Sequence, residues 1–296
     1  MLTWWKEFAA HLASLQRRRR LDRNRIRSDL SHFRSRQQSG ESDVEYAKLL
    51  EGKRVAIVGP ARTLFGERQG TFIDAHDVIV RFNDVIEHLP VPADLAPDIG
   101  TRTDVVYCTA GILGHNILSE AGLTHDRFAE VCRKSAIQYI VCGNNSLSFE
   151  RNGHPAPRCK PEDRDVVARF TRLLDAHALS VRFRLVHDAS ETLIGWLQGQ
   201  FPRTGMVAML DLLSADIESL HVTGMTFYHG GGHIYAPETA GLHPLRNRDG
   251  SLARNTAGIG HDSYLELAVM AVIAEKFAGT LSVDEPLQRL IAGLRS

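Results

Sequence analysis

The sequence is poor in cysteine and has no long apolar run. Its four cysteines are Cys108, Cys132, Cys142 and Cys159, and none has the spacing of a CxxC or Cys/His metal site. Cys108 and Cys142 lie in apolar runs, which is typical of buried free thiols and favours a reducing compartment. No stretch approaches about 18 consecutive apolar residues, so no transmembrane helix is expected. The N-terminal charges follow the apolar part, which is the reverse of a signal peptide.

Two familiar phosphate-binding signatures are also missing. The apolar run RVAIVG, at residues 54–59, leads into GPARTLFGERQG, which matches neither GxGxxG nor GxxxxGK[ST]. A dinucleotide fold or a P-loop is therefore unsupported. The glycine turn could place backbone N–H groups near a phosphate, but an ordinary structural turn explains it equally well.

The formal charge is zero but unevenly distributed. Residues 1–40 hold ten basic residues against three acidic ones, a net of +7, so residues 41–296 carry −7. Apolar residues recur at helical spacing before the arginines: Leu2, Trp5, Phe8, Leu12 and Leu15. This pattern predicts a basic amphipathic helical segment over 1–40 that contacts an anionic membrane surface. A solvated helix and a nucleic-acid arm are the alternatives, and the acidic remainder argues against nucleic acid.

From Arg54 onward the pattern is α/β. Strands are predicted at 54–59, 78–82, 105–108, 137–142, 180–186 and 219–224, and helices at 162–178, 204–215 and 262–276. Strands that alternate with helices predict a mostly parallel central sheet flanked by helices. The remainder, residues 41–296, is expected to form one domain.

Several stretches carry groups suited to binding an anion or a nucleotide. Arg81 and Asn83 come at the end of an apolar strand, where open α/β sheets bind ligands. In PRTGMVAMLDLL, Thr204 and Gly205 begin an apolar helix whose free N–H groups could meet an anion, and Arg203 would add a positive charge. The structural alternative is that Thr204 is only an N-cap.

Two histidine-containing stretches follow. In FYHGGGHIYAPE, His229 and His233 flank three glycines, which favours phosphate contact by one imidazole over a helical metal pair, with a structural loop as the other interpretation. In GIGHDSYLE, His261 precedes a helix, and both a general base and a helix cap are open interpretations. Glu266 is too far around the helix to bond His261 directly. We expect it to brace the turn instead.

Taken in order and spacing, these stretches resemble the sialylmotifs of the animal-type sialyltransferase family. IVGPARTLFGERQGTFIDAHDVIVRFND and DIGTRTDVVY are similar to the large motif, and PRTGMVAMLDLLSADIESLHVTGM is similar to the small motif. GGHIYAPE resembles the third motif and GIGHDSYLE the very small one. The resemblance implies a GT-A-like variant fold, a CMP-activated sugar donor and an inverting transfer that needs no metal or other cofactor.

The resemblance also implies residue roles. Asn83 matches the asparagine that contacts the cytidine nucleotide, and His233 the histidine that meets the donor phosphate. His261 matches the histidine taken as the catalytic base, with Glu266 as its structural support. The predicted donor-binding residues are Gly59, Asn83, Arg203, Thr204, Gly205 and Tyr235.

The chain departs from the family pattern at three points. Gly59-Pro60-Ala61 replaces Gly-Asn-Ser, which removes one nucleotide contact, and Arg203 replaces the serine before Thr-Gly. Val55 stands where the first motif cysteine is expected, so the family's motif-linking disulfide cannot form. These departures predict a bacterial-style enzyme that is cytoplasmic and peripherally membrane-associated.

The predicted function is transfer of an ulosonic acid sugar, sialic acid or Kdo, from its CMP ester to a hydroxyl of a glycan or glycolipid. The expected partners are the CMP-sugar donor, that acceptor and an anionic membrane, with no nucleic acid. The alternative is a non-catalytic nucleotide- or glycan-binding protein on a degenerate transferase fold. Pro60 favours the alternative, whereas His233 and His261 oppose it.

Overall fold

A computed structural model describes residues 17–18, 20–37, 44–113, 124–144, 161–186, 188–227, 234 and 261–294. Its strands are β1 Arg54–Val58, β2 Val78–Phe82, β3 Val105–Thr109, β4 Tyr139–Asn144, β5 Arg182–Leu185, β6 Ser219–Thr223 and β7 Leu281–Val283. They form one sheet of order β5-β4-β3-β2-β1-β6-β7. Every neighbouring pair in this sheet is parallel.

The strands are joined by helices and helical turns. The longer helices are α1 Arg23–Gln37, α2 Val44–Leu50, α3 His125–Lys134, α4 Pro161–Ala176, α5 Asp188–Trp196, α6 Thr204–Ser214, α7 Ser263–Lys276 and α8 Glu285–Gly293. The one-turn segments are Arg62–Leu64, Gly70–Asp74, Asn83–His88, Ala96–Ile99 and Ala110–Ile112. Parallel strands need such crossover connections because a two-residue turn cannot return the chain to the same edge of the sheet.

The core lies on both faces of the sheet. Val55 and Ile57 of β1 belong to one hydrophobic cluster, whereas Ala56 and Val58 belong to another. Successive side chains of a strand point to opposite faces, so helices must cover both sides. This explains why strands such as β1 and β2 are mainly apolar runs, whereas β5 and β6 alternate polar and apolar residues. The predicted α/β class and parallel sheet are confirmed.

Six of the seven strands and three of the helices were predicted. Strand β7 was not, because three residues are too few for a recognisable pattern. Helix α8 was missed as well, although Asp284 supplies an N-cap whose carboxylate accepts from the N–H of Leu287. Cys108, Cys132 and Cys142 are buried free thiols, which confirms the prediction for Cys108 and Cys142.

Part of the basic N-terminal segment packs on the sheet domain. Ile26 and Leu30 of α1 are 1% and 2% exposed and belong to the main hydrophobic cluster. Asp29 accepts from the indole N–H of Trp196 at 2.9 Å. The apolar half of the segment, residues 2–15, lies outside the described residues. Within those that are described, no helix has the length and apolar character needed to cross a membrane.

Candidate active site

The carboxyl ends of β1 and β6 meet at a pair of glycines. The N–H of Gly59 donates to the carbonyl of Thr223 at 2.8 Å, and a Cβ on Gly59 would lie 2.2 Å from the carbonyl oxygen of Gly224. Gly224 itself has φ +68°, a backbone conformation that favours glycine. Gly59 is therefore required for close strand packing at this edge. Its predicted contact with the donor stays a prediction.

Asn83 and Thr204 come together although they are far apart in sequence. The amide nitrogen of Asn83 lies 3.3 Å from the hydroxyl of Thr204. Asn83 has φ +47° at the end of β2, a left-handed conformation that asparagine tolerates better than most residues. A Cβ on Gly205 would meet the side chains of Met225 and Phe82 at 2.8 and 3.4 Å. The start of α6 thus packs directly against the ends of β2 and β6.

Arg203, the residue before α6, is held by a carboxylate on α7. Its backbone N–H donates to Oε1 of Glu266 at 2.6 Å, and its guanidinium bonds Oε2 of Glu266 and, at 2.7 Å, the hydroxyl of Ser263. The Glu266 side chain is 0% exposed and that of Arg203 15%. From the sequence, we expected the backbone N–H groups at the start of α6 to bind an anion. The N–H of Arg203 meets Glu266, so Glu266 ties the two helix starts together.

The start of α7 tests the interpretation that His261 caps this helix. The N-cap of α7 is Asp262, whose carboxylate accepts from the N–H of Leu265 at 3.0 Å. His261 stands one residue before the cap and does not cap the helix, so the helix-cap interpretation is wrong. The N-cap alternative for Thr204 is wrong as well, because Arg203 holds that position in α6, without a side-chain capping bond.

His261 is a neutral imidazole with one nitrogen already assigned. Its Nδ1 lies 2.7 Å from the carbonyl oxygen of Phe201. A carbonyl only accepts, so Nδ1 carries the proton and Nε2 keeps the lone pair. Burial, and after it the positive charge of Arg203, lower the pKa of His261 to about 3, whereas the bond to Phe201 acts in the opposite direction.

Helix α6 is fixed in place by a buried polar network. Asp211 lies in the middle of α6. Its carboxylate accepts from Nη1 and Nη2 of Arg184 at 2.5 and 3.1 Å and from the hydroxyl of Tyr107 at 2.5 Å. The hydroxyl of Tyr107 in turn lies 2.9 Å from that of Tyr46. Bidentate pairs of this kind set position as well as charge. The network anchors α6 to β3 and β5, which fixes where Thr204 lies.

The third motif lies largely outside the described residues. The predicted site residues His233 and Tyr235 are among those not described, and so is His229. Ile234 is described: it is 7% exposed, and its N–H donates to the carbonyl of Pro60 at 2.6 Å. The third motif is thus attached to the turn after β1 at this residue. Across the described part of the chain, no group of three or more His, Cys, Asp or Glu side chains could hold a metal ion.

Arg81, which the sequence indicated as a ligand-binding candidate, has a structural role instead, and the structure adds Asp262 and Phe201 to the site. Arg81 is 1% exposed and donates to the carbonyl of Ile99 at 2.6 Å and to the hydroxyl of Thr103 at 3.0 Å, so it braces a loop and is not presented to a ligand. Asp262 caps α7, and an Asp directly before an apolar helix is a signal that could have identified it. No local signal would have identified Phe201, because only its backbone carbonyl is used.

Comparison with known proteins gives a family match over the first half of the fold. The model of glycosyltransferase family 29 (sialyltransferase) matches residues 3–142. The matched region includes Gly59 and Asn83 and ends in β4, before Arg203 and His261. No curated protein matches the chain.

Two solved crystal structures of a mammalian sialyltransferase are also similar to this chain. One is in complex with Gal-beta-1-3GalNAc-ortho-nitrophenol and aligns over 87% of this chain and 86% of its own, with 14% identity and a TM-score of 0.39. The other aligns over 87% and 85%, with 14% identity and a TM-score of 0.40. The family match confirms the predicted resemblance over residues 3–142, where this chain is sialyltransferase-like.

Proposed function

We propose that this enzyme transfers sialic acid from its CMP ester to a glycan hydroxyl, with inversion and with His261 as the general base. The observation that carries the proposal is the state of the His261 ring. Its Nδ1–H is committed to Phe201, and its low pKa keeps it neutral near pH 7. The lone pair on Nε2 is therefore available to take a proton.

In the proposed step, the acceptor hydroxyl oxygen forms a bond to the anomeric carbon of the sugar. The bond from that carbon to the CMP phosphate oxygen breaks, and its electron pair leaves with the phosphate. The hydroxyl proton moves to Nε2 of His261. Attack opposite the leaving group inverts the anomeric centre. Bonds, electrons and the proton are all accounted for by the donor, the acceptor and His261.

The pKa of about 3 would make His261 a weak base in the free enzyme. The donor brings a phosphate and a carboxylate, and nearby negative charge raises the pKa of an imidazole. We infer that donor binding strengthens the base at the moment when it is needed. Groups that stabilise the leaving phosphate assist its departure, and we assign this role to His233.

Metal independence is part of the proposal because of the donor's chemistry. The leaving group is CMP, which carries a single phosphate. The metal ion that neutralises a diphosphate leaving group is therefore not needed. Asn83, Thr204 and Gly205 are proposed to line the donor, since they converge at one edge of the sheet. CMP-Kdo is the second donor to test, because Kdo is also carried as a CMP ester of a keto-acid sugar.

We also propose that the enzyme is cytoplasmic and peripherally associated with a membrane, where it meets a glycan or glycolipid acceptor in polysaccharide biosynthesis. The net charge of +7 in residues 1–40 supports contact with an anionic surface. Buried free thiols support a reducing compartment. Burial raises the pKa of Cys132 and Cys142 to about 12, so both remain protonated and unreactive.

The test compares His261→Ala with the control His221→Ala. His221 also has a pKa lowered by burial, but it lies within β6 and bonds Ser282 at 3.0 Å. Loss of a general base should lower kcat by about 10²–10⁴-fold in His261→Ala, with CMP affinity little changed, whereas His221→Ala should keep its turnover.

Turnover is measured with CMP-sialic acid and CMP-Kdo, with EDTA or manganese, and CMP affinity by calorimetry. Near-normal turnover of His261→Ala would remove His261 as the base. CMP binding by the unmodified protein without turnover of either donor would favour the non-catalytic alternative. Inhibition by EDTA that manganese reverses would contradict metal independence.

A further inference from the structure

The N-terminal basic segment reaches the turn that carries His261. The guanidinium of Arg17 donates to Oδ2 of Asp262 from Nε at 2.8 Å and lies 2.7 Å from it through Nη2. The carbonyl of Arg17 accepts from the side-chain amide of Gln198 at 3.0 Å. The guanidinium of Arg18 lies 5.1 Å from the ring centre of Tyr264. Two consecutive arginines therefore contact the first residues of α7.

The carboxylate of Asp262 is buried, so losing its partner Arg17 would be unfavourable. Its side chain is 0% exposed, whereas that of Arg17 is 18% exposed. It caps α7 with Oδ1 and uses Oδ2 for Arg17, so each carboxylate oxygen has a separate task. A buried carboxylate that loses a cation must move, take up water or become protonated. Any of these changes would act on the peptide bond that joins Asp262 to His261.

We propose that Arg17 is a positioning residue for His261, acting through Asp262 to fix the turn at the start of α7. The proposal rests on His261 being the base of the proposed function. It makes the basic N-terminal segment part of the active-site framework, in addition to any contact that the segment makes with a membrane. Two ion pairs then fix the turn: one joins Arg17 to Asp262, and the other joins Arg203 to Glu266.

The electrostatic consequence has a definite sign. The charged groups around this turn in the described structure are Arg17, Arg18, Asp262, Arg203 and Glu266, from the N-terminal segment, α7 and the start of α6. Arg17 neutralises the carboxylate nearest to His261 in sequence. Without that cation, the carboxylate favours the imidazolium form and raises the pKa of His261. The acid limb of the pH profile of kcat should then move to higher pH.

The experiment compares Arg17→Gln with Arg17→Lys and Arg27→Gln in the full-length chain. Arg27 is a matched control, because it also joins the N-terminal segment to a carboxylate of α7, Glu275, at 3.0 Å. Glu275 lies 13 residues beyond Asp262, or about 20 Å along the helix. Arg17→Gln should shift the acid limb upward by about one pH unit and lower kcat several-fold, with KM for the donor little changed.

Arg17→Lys should restore most of the pH profile, and Arg27→Gln should leave it unchanged. Adding Asp262→Asn to Arg17→Gln removes the buried charge and keeps a good N-cap, so the double variant should return the acid limb towards its normal position. An unchanged limb in Arg17→Gln, or an equal shift in Arg27→Gln, would overturn the proposal.

Amide hydrogen exchange separates this proposal from the proposed function. Exchange at residues 261–265 should accelerate in Arg17→Gln and not in Arg27→Gln, whatever the reaction of the enzyme. If the unmodified protein turns over neither CMP-sugar, the proposed function fails, and this exchange measurement still decides whether Arg17 holds the turn. Equal exchange in both variants would show that it does not.

Discussion

Removing the carboxylate of Glu266 should destabilise the fold far more than removing another glutamate from the same helix. In Glu266→Ala, the backbone N–H and the guanidinium of Arg203 both lose their acceptor. Breaking a buried ion pair by removing one partner costs about 3–5 kcal/mol. Arg203 is 15% exposed and can regain some hydration, so we expect the low end of this range.

The matched control is Glu275→Ala, which makes the same substitution in the same helix. Its partner is Arg27, and the two side chains are 50% and 39% exposed. A solvent-exposed pair contributes about 0–1 kcal/mol, so the two variants should differ by at least about 2 kcal/mol. Both substitutions change helix propensity equally, which leaves burial as the difference.

The assay is urea unfolding of the two variants and the unmodified protein at pH 7, with thermal unfolding as a second measure. A difference of 2 kcal/mol corresponds to a Tm difference of about 3 °C in a chain of 296 residues. Equal losses in the two variants would refute the conclusion that Glu266 joins α6 to α7 as a buried structural support. A large loss of kcat without loss of stability would instead place Glu266 in the chemistry.

Two further predictions concern pH and the N-terminus. The pKa of His261 is about 3 in the folded protein and about 6.5 when exposed, so the unfolded chain binds the proton first. Its contribution to stability is complete above pH 6.5 and is lost as the pH falls towards 3, by at most about 1.4 kcal/mol per pH unit. Urea unfolding of His261→Gln should therefore depend less on pH between 7 and 4.5 than that of the unmodified protein, and an equal dependence would contradict the lowered pKa. For the N-terminus, deleting residues 1–15 removes apolar side chains but spares Arg17, Ile26 and Leu30, so the chain should stay folded. Its sedimentation with anionic vesicles should decrease, and the arginines that remain should keep part of it. Neutral vesicles are the control, and undiminished sedimentation would contradict the membrane proposal.

The sequence was sufficient for the sheet and for the order of the motifs. Strands such as β1 and β2 are buried on both faces, so they appear as uninterrupted apolar runs that can be recognised locally. Glycine and polar residues at the ends of β1 and β2 then indicated a candidate ligand-binding edge, because parallel strands direct their carboxyl ends the same way. The family resemblance followed from this order, and the family model confirms it over residues 3–142.

The ion pairs that hold the site were not predictable from local patterns. Arg17 lies 245 positions before Asp262, and nothing near either residue indicates its partner. From the sequence, residues 1–40 were predicted to be a basic segment that contacts a membrane, separate from the domain at 41–296. Ile26 and Leu30 pack into the core nonetheless, since α1 buries these two apolar side chains and exposes Arg23 and Arg25.

The chemical state of His261 also depends on contacts that form only in the folded chain. The sequence placed this histidine before a helix and left base and cap open, because an Asp and a His both precede the apolar run. Folding brings the carbonyl of Phe201 to Nδ1 and the guanidinium of Arg203 near the ring. A backbone carbonyl carries no signature in the sequence, so the tautomer and the lowered pKa follow from packing and not from the motif.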